Sequence, residues 1–267
     1  MDRYPVVHFS LPASSRASGL LSSDVDSDGE GWARQLGEKW SVKLRAHGIG
    51  PQDLIVECGP GYSDTIGRAL AANDHRGPVL LVEPNGPART WALQRYCKRL
   101  PQAHVTGAAE IDSEAFSAKR VDALVANHLL DDLILNTALS RKQADSTFAA
   151  MTPGAECGDS FIAIWRNLLA DADLLSATIE LAALNFSRVI EQLRPGVVLL
   201  NQYPSWRHHR SGLDKIHFHA CEVMRALTEK LPTVGLVAEL LVDPQDGMLW
   251  LLALPSSQTR YGSAEDE

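Results

Sequence analysis

The sequence predicts an α/β fold: a mostly parallel sheet of about seven strands, with helices on both faces and an antiparallel hairpin at its C-terminal end. Three observations support this prediction. Short apolar segments alternate with helical segments from residue 31 to about residue 200. The apolar segments are continuous, which is typical of strands that are buried on both faces. The last two are separated only by residues 243–247, a spacing that predicts a hairpin.

The elements follow one another in a regular order. In the first helix, predicted at 31–47, Trp32, Leu36, Trp40 and Leu44 recur every four residues and therefore share one face. The same patterns, ended by glycine and proline, predict strands at 53–57, 79–83, 104–106, 121–126, 197–201, 234–242 and 248–254, and helices at 63–73, 87–99, 171–193 and 220–230. Right-handed crossovers would bring the carboxyl ends of the parallel strands to one edge of the sheet, where ligands bind.

The fourth crossover is unusually long. Asn127 and Val197 are 70 residues apart, whereas a crossover needs only about 12 residues. Because the helix at 171–193 suffices to cover the sheet, residues 136–170 are predicted to form a helical, lid-like insertion over the ligand edge. The expected organisation is a flexible N-terminal arm at 1–30, one domain at 31–255 and a flexible tail at 256–267.

Composition limits the classes of function. Hydrophobic residues make up 45% of the chain, and 33 acidic residues outnumber 25 basic ones, for a net charge of −8. Such a chain lacks the basic surface of a general nucleic-acid binder, and no apolar run approaches the roughly 18 residues of a membrane helix. The four cysteines form no CxxC pair, and the N-terminus has no secretory pattern. We expect a cytoplasmic protein with no nucleic-acid or membrane partner; its oligomeric state does not follow from the sequence.

A glycine-containing turn follows the first strand. Gly59 and Gly61 let the backbone approach a ligand, and Glu83 ends the next strand 22 residues later, where an acid can bind both hydroxyls of a ribose. A dinucleotide site would have a third glycine where Asp64 stands, and Asp64 and Glu57 would face its pyrophosphate with like charge. A cationic ligand with an α-amino group suits Glu57 better.

These segments resemble the class I S-adenosylmethionine-dependent methyltransferases, whose fold is Rossmann-like. The resemblance covers about residues 50–255 apart from the insertion, includes the terminal hairpin, and rests on the segments 57–61, 82–85, 125–128 and 193–200. It implies an enzyme that binds S-adenosylmethionine and transfers its methyl group to oxygen or nitrogen of a small-molecule substrate.

The resemblance also implies roles for residues of the first two strand ends. Glu57, Gly59 and Gly61 would hold the methionyl part of the cofactor. Glu83 would hold the ribose, and Asn85 would flank the adenine.

Further roles follow for the third and fourth strand ends. Ala109 and Glu110 would lie near the adenine edge. The family often has an acid soon after the third strand, a place taken here by alanines, so Glu110 or Asp112 would substitute. Asn127 and His128 would lie near the methyl donor.

Several residues near this edge have two readings. His128 would be a general base or a residue that packs or orients the cofactor. The stretch 206–219 holds four histidines, which would line the substrate site or a solvated loop rather than bind a metal. Asp131 and Asp132 are read as acids favoured at a helix N-terminus, and no metal site is predicted.

Three alternatives to methyl transfer stay open. The chain would transfer another part of S-adenosylmethionine, act as an NAD(P)-dependent oxidoreductase, or serve as a non-catalytic methyltransferase-like binding protein. The missing third glycine argues against the oxidoreductase. The presence of Glu57 and Glu83 argues against a non-catalytic protein.

Overall fold

The computed structural model describes residues 27–111, 121–149, 157–243 and 248–257. Most of the predicted arm and tail, Asp112 and residues 150–156 of the predicted insertion lie outside these ranges. The strands are β1 Ile55–Cys58, β2 Val79–Val82, β3 Val105–Ala108, β4 Ala123–Asn127, β5 Val197–Gln202, β6 Leu236–Val242 and β7 Leu249–Pro255. The helices are α1 Ser27–Ala46, α2 Thr65–Ala72, α3 Gly86–Arg99, α4 Leu130–Ala138, α5 Arg141–Ala149, α6 Asp159–Ala170, α7 Ala172–Leu193, α8 Trp206–Arg210 and α9 Lys215–Lys230.

The seven strands form one sheet in the order β3-β2-β1-β4-β5-β7-β6. Strands β1 to β5 pair in parallel, whereas β7 pairs antiparallel with both β5 and β6. The predicted Rossmann-like fold with its C-terminal antiparallel hairpin is therefore confirmed. Its parallel strands place the ends of β1, β2, β4 and β5 at one edge.

Helices cover both faces of the sheet, because consecutive residues of each central strand point to opposite sides. On one side, Ile55 packs with α1, α2 and α3 around the fully buried Trp40. On the other side, Val56 packs with α4, α6, α7 and α9 around the fully buried Trp165. In the described part of the chain, no helix is both long and apolar enough to cross a membrane.

The segment predicted as an insertion contributes to the core as well as to the ligand edge. Helix α6 buries Phe161, Trp165 and Leu168 against the second face of the sheet. Helix α5 reaches the carboxyl edge, where the carbonyl of Phe148 accepts a hydrogen bond from Asn85. The segment is therefore anchored in the core, and its action as a lid stays a prediction.

Helix α9 begins five residues before the predicted helix at 220–230. Ile216 is fully buried and sets the face on which the helix packs. The intervening His217 and His219 masked the apolar period in the sequence.

Candidate active site

A cavity of about 270 Å³ lies at the carboxyl edge of the parallel strands. The turn after β1, Glu83 after β2 and His128 after β4 line it, together with Trp32 of α1 and the segment that follows β5. This is the edge at which the sequence predicts a ligand.

The turn after β1 depends on its two glycines. Gly59 and Gly61 have φ angles of +60° and +54°, a region that L side chains rarely adopt. A Cβ on Gly59 would overlap Cδ1 of Leu129, whereas a Cβ on Gly61 would have no atom within 4 Å. Glycine is therefore favoured at position 59 by both the φ angle and the space beside Leu129, and at position 61 by the φ angle alone.

Glu83 is fixed by the backbone around it. Its Oε2 accepts from the N–H of Gly61 and its Oε1 from the N–H of Asn85, both at 2.9 Å. Burial raises the pKa of the Glu83 carboxyl, and these two N–H groups act against that rise. A carboxylate has about four acceptor positions, so each oxygen keeps capacity for a ligand hydroxyl.

Asn85 connects this edge to α5. Its Oδ1 accepts from the N–H of Ala88, 3.3 Å away, and so caps α3. Its Nδ2 donates to the carbonyl of Phe148 at 2.7 Å. The side chain lines the cavity with both of its polar atoms already engaged.

Glu57 lies beneath the turn and is not among the described residues that line the cavity. It is 1% exposed, and the hydroxyl of Tyr96 donates to its Oε2. Burial raises the pKa of the Glu57 carboxyl to about 8. Its contact with the methionyl part of a cofactor stays a prediction.

Asp64 lines the cavity beside the glycine turn, but its charge is compensated. It forms ion pairs with Arg68 at 2.9 Å and with Arg99 at 2.5 Å. Burial alone would raise the pKa of Asp64, and these two arginines outweigh it, so that the pKa is lowered. Like charge at Asp64 is therefore a weaker argument against pyrophosphate than the sequence suggested.

Asn127 and His128 lie at the end of β4, and their place near a methyl donor stays a prediction. Oδ1 of Asn127 accepts from Nε1 of Trp40 at 3.2 Å, and its Nδ2 donates to the hydroxyl of Tyr203 at 3.4 Å. His128 has a φ of +56°, an uncommon value for a residue with a side chain. Its N–H donates to the carbonyl of Asn201 at 3.0 Å, which helps to hold this backbone.

The imidazole of His128 lies in a polar cluster. Its Nδ1 is 3.6 Å from Oδ1 of Asp131, and Oδ2 of Asp131 is 3.5 Å from Nε2 of His208. Gln202 donates from Nε2 to the same Oδ1 of Asp131 at 3.4 Å. Nε2 of His128 is buried and has no hydrogen-bond partner among the described residues.

The predicted histidine-rich stretch divides between cavity and surface. Only His208 of its four histidines lines the cavity, and burial lowers its pKa to about 4. His209 pairs with Asp214 at 2.6 Å on the exposed surface, and His219 pairs with Glu222 at 2.7 Å. Among the residues that the structure describes, no group of three acidic, histidine or cysteine side chains could hold a metal ion.

Two predicted cofactor residues lie away from the cavity. Ala109 and Glu110 are exposed and are not among its described lining residues. Their assignment to the adenine edge stays a prediction.

Sequence reasoning gave no role to an aromatic group at the mouth of the cavity. The rings of Tyr62 and Trp91 meet edge to face at 5.9 Å, and Arg95 lies 5.0 Å above Trp91. Trp91 and Arg95 are four residues apart on α3, so their helical spacing could have indicated in the sequence that they lie side by side. Tyr62, in the glycine turn, could only be joined to them by the fold.

Comparisons with known proteins add information on the fold alone. No family model matches the chain, and no curated protein matches it. Matching solved structures include the pyocyanin biosynthetic protein PhzM (14% identity, TM-score 0.46, 85% of this chain and 56% of that one) and the CurJ carbon methyltransferase (10%, 0.41, 86% and 56%). Another is a putative rRNA methylase from Clostridium thermocellum (10%, 0.45, 81% and 95%).

The chain thus spans about half the length of the PhzM and CurJ chains. Identities and TM-scores this low carry no argument about substrate. The strand order and the antiparallel β7 described above give the chain the class I methyltransferase fold.

Proposed function

We propose that this protein is an S-adenosylmethionine-dependent methyltransferase that acts on a small molecule. One observation carries the proposal. Glu83 is held by the N–H groups of Gly61 and Asn85 in the same cavity that receives His128 from the end of β4. A ribose-binding acid and a candidate proton acceptor therefore share one space.

The residues present fit this cofactor. Gly59 and Gly61 line the cavity with backbone and no side chain, and Glu83 has acceptor capacity for two ribose hydroxyls. Asn127 and His128 line the same cavity. When bound, S-adenosylmethionine would supply an activated methyl group.

The residues of the chain would then perform three tasks. Glu83 binds and orients the ribose. Trp32 and Tyr203, which meet edge to face at 5.7 Å, exclude water from one wall of the cavity. His128 takes a proton from the acceptor at its free Nε2.

Charge favours a small molecule over a nucleic acid. Asp131, Asp132 and Glu83 all line the cavity. The cavity is also lined by Arg68, Arg95 and Arg207, but the chain as a whole carries a net charge of −8, which opposes the approach of a phosphate backbone. A small acceptor can enter the cavity without that repulsion.

Calorimetry tests the cofactor. We expect S-adenosylmethionine and S-adenosylhomocysteine to bind in the micromolar range, roughly −8 kcal/mol, and NAD and NADP to bind far more weakly. Glu83→Ala removes the ribose acceptors and should weaken binding by about 1–3 kcal/mol. Glu222→Ala on α9, outside the lining residues, is the matched control. Tight binding of a nicotinamide cofactor alone would overturn the proposal.

Isotope labelling tests the reaction. The protein is incubated with methyl-labelled S-adenosylmethionine and, separately, with a small-molecule cell extract or total RNA. We expect label in the small-molecule fraction. Label in RNA alone would contradict the proposed substrate class. If carboxyl-labelled cofactor gave labelled product and methyl-labelled cofactor did not, the protein would transfer another part of S-adenosylmethionine instead of its methyl group.

A further inference from the structure

We propose that Asp131 and His208 are positioning residues that hold His128 in the tautomer with a proton on Nδ1 and a free lone pair on Nε2. The inference rests on the base role proposed for His128 and adds the two side chains that prepare it. We call His128, Asp131 and His208 the histidine–aspartate cluster.

Asp131 is placed between the two imidazoles by α4. It is 3% exposed, and its two oxygens face different rings, Oδ1 toward His128 and Oδ2 toward His208. The distances of 3.6 and 3.5 Å are longer than hydrogen bonds, and such contacts often tighten when a catalytic complex forms. A carboxylate beside Nδ1 attracts a proton and repels a lone pair, so it favours the Nδ1–H form of His128.

His208 holds the far side of Asp131. Its ring stacks on Phe161 at 5.7 Å with only 19° between the planes, and it is 6% exposed. Burial keeps His208 neutral at pH 7, since its pKa is lowered to about 4. A neutral imidazole has one N–H, and the carboxylate favours that proton on Nε2.

Gln202 restricts the carboxylate from a third direction. It is 1% exposed and donates to Oδ1 of Asp131 at 3.4 Å. Asp131 therefore faces nitrogen atoms of three side chains, and Gln202 donates to the same oxygen that faces His128.

The proton step balances within the cluster. The proton of the acceptor group passes to Nε2 of His128, which becomes an imidazolium. Asp131 stays ionised and stabilises that charge across Nδ1–H, and the imidazolium later returns its proton to solvent. Asp131 and His208 do not touch the acceptor proton in this step.

Nitrogen NMR of the imidazole rings tests the inference on the full-length protein, free and with S-adenosylhomocysteine. His128→Gln identifies the resonances of His128 by their loss. We expect a protonated Nδ1 and an unprotonated Nε2 in the wild type. A proton on Nε2 instead would overturn the proposal.

Three variants separate positioning from packing. Asp131→Ala should populate both tautomers of His128. Asp131→Asn should retain the Nδ1–H form, because Gln202 keeps the amide oxygen on the side of His128. Asp214→Ala, which removes the same kind of partner from the exposed His209, should leave the signals of His128 unchanged.

The role of His208 is tested without changing Asp131. His208→Phe keeps an aromatic ring against Phe161 but loses the donor, and should loosen the tautomer preference of His128. His208→Gln keeps a donor and should restore it. Equal spectra for the two variants, or an unchanged tautomer in a folded Asp131→Ala protein, would overturn the positioning role. Failure of the cofactor to bind would refute the proposed function and leave the tautomer result readable in the free protein.

Discussion

The cavity has two sides that are held together by different means. The glycine-turn side consists of Gly59, Gly61, Glu83 and Asn85, and its key carboxylate accepts two backbone N–H bonds of 2.9 Å. The histidine side consists of Asn127 and the histidine–aspartate cluster. Its side chains meet one another or the neighbouring Trp40, Tyr203 and Gln202 at 3.2–3.6 Å, and they leave Nε2 of His128 without a partner among the described residues.

The difference fits two kinds of task. A site that binds a fixed cofactor gains from backbone donors that cannot rotate away. A site that moves protons needs polar atoms that can still form a hydrogen bond. Buried side chains with an unsatisfied atom provide them, at some cost in stability. We therefore expect changes on the histidine side to alter rate and changes on the glycine-turn side to alter affinity and folding.

The largest expected effect is on the rate. His128→Ala should slow methyl transfer by about 10²–10⁴-fold, because the acceptor loses its general base, while cofactor affinity changes little. Single-turnover measurements with the labelled acceptor, beside calorimetry of the cofactor, give both quantities. His209→Ala on the exposed surface is the control. An unchanged transfer rate would show that His128 is not the general base. The two sides of the cavity would then not differ in their tasks as described above.

Glu57, which lies beneath the glycine-turn side, and His208 of the histidine side should respond to pH in opposite directions. The folded pKa of Glu57 lies at about 8, above its usual 4.5, so its contribution to stability is present at low pH and is lost as the pH rises through 8. The folded pKa of His208 lies at about 4, below its usual 6.5, so its contribution is present above 6.5 and is lost as the pH falls through 4. Each pKa unit corresponds to about 1.4 kcal/mol, which places the loss for Glu57 at roughly 5 kcal/mol and the loss for His208 at roughly 3 kcal/mol.

Chemical denaturation between pH 4 and 9 measures the free energy of unfolding across both losses. We call the loss with rising pH the alkaline limb and the loss with falling pH the acid limb. Glu57→Gln should flatten the alkaline limb and leave the acid limb. His208→Gln should reduce the acid limb only in part, since the pKa of His217 is also lowered to about 4 by burial. If Glu57→Gln left the alkaline limb intact, the buried carboxyl would not be its source.

The two glycines provide an internal comparison within the turn. Both substitutions with alanine force a positive φ on a residue with a side chain, at roughly 1–2 kcal/mol. Gly59→Ala adds an overlap with Leu129. We therefore expect the free energy of unfolding to fall by roughly 2–3 kcal/mol for Gly59→Ala and by roughly 1–2 kcal/mol for Gly61→Ala. The free energy of unfolding distinguishes them. Equal losses would mean that Leu129 moves aside freely.

The smallest effect concerns the link between the glycine-turn side and α5. Asn85→Ala removes the cap of α3 and the hydrogen bond to Phe148, and should cost about 1 kcal/mol. Hydrogen exchange should also become faster in α5. Asp171→Ala removes a comparable cap from α7, where Asp171 accepts from Leu174 at 3.0 Å, and should leave exchange in α5 unchanged. Faster exchange in both variants would point to general loosening rather than to this link.

The order of the elements and the glycine-turn side were predictable from local patterns. Apolar runs and helical spacing report burial within about ten residues, and the order of the strands along the chain then limits how they can pair. Gly59, Gly61 and Glu83 follow directly from the ends of β1 and β2. Their contacts use backbone groups that every residue has, so no distant partner had to be known.

The histidine side depended on tertiary structure, because its partners are far apart in the chain. Gln202 reaches Asp131 across 71 residues, and Asn127 reaches Tyr203 across 76. The patterns read from the sequence carry no sign of such pairs, so His208 could not be told from the surface His209 beside it. The fold decided this by burying His208 against Phe161, and it placed Glu57 beneath the glycine turn against Tyr96. Spacing along the chain therefore determined where the strands end, whereas packing between distant elements determined which side chains meet there and in which protonation state.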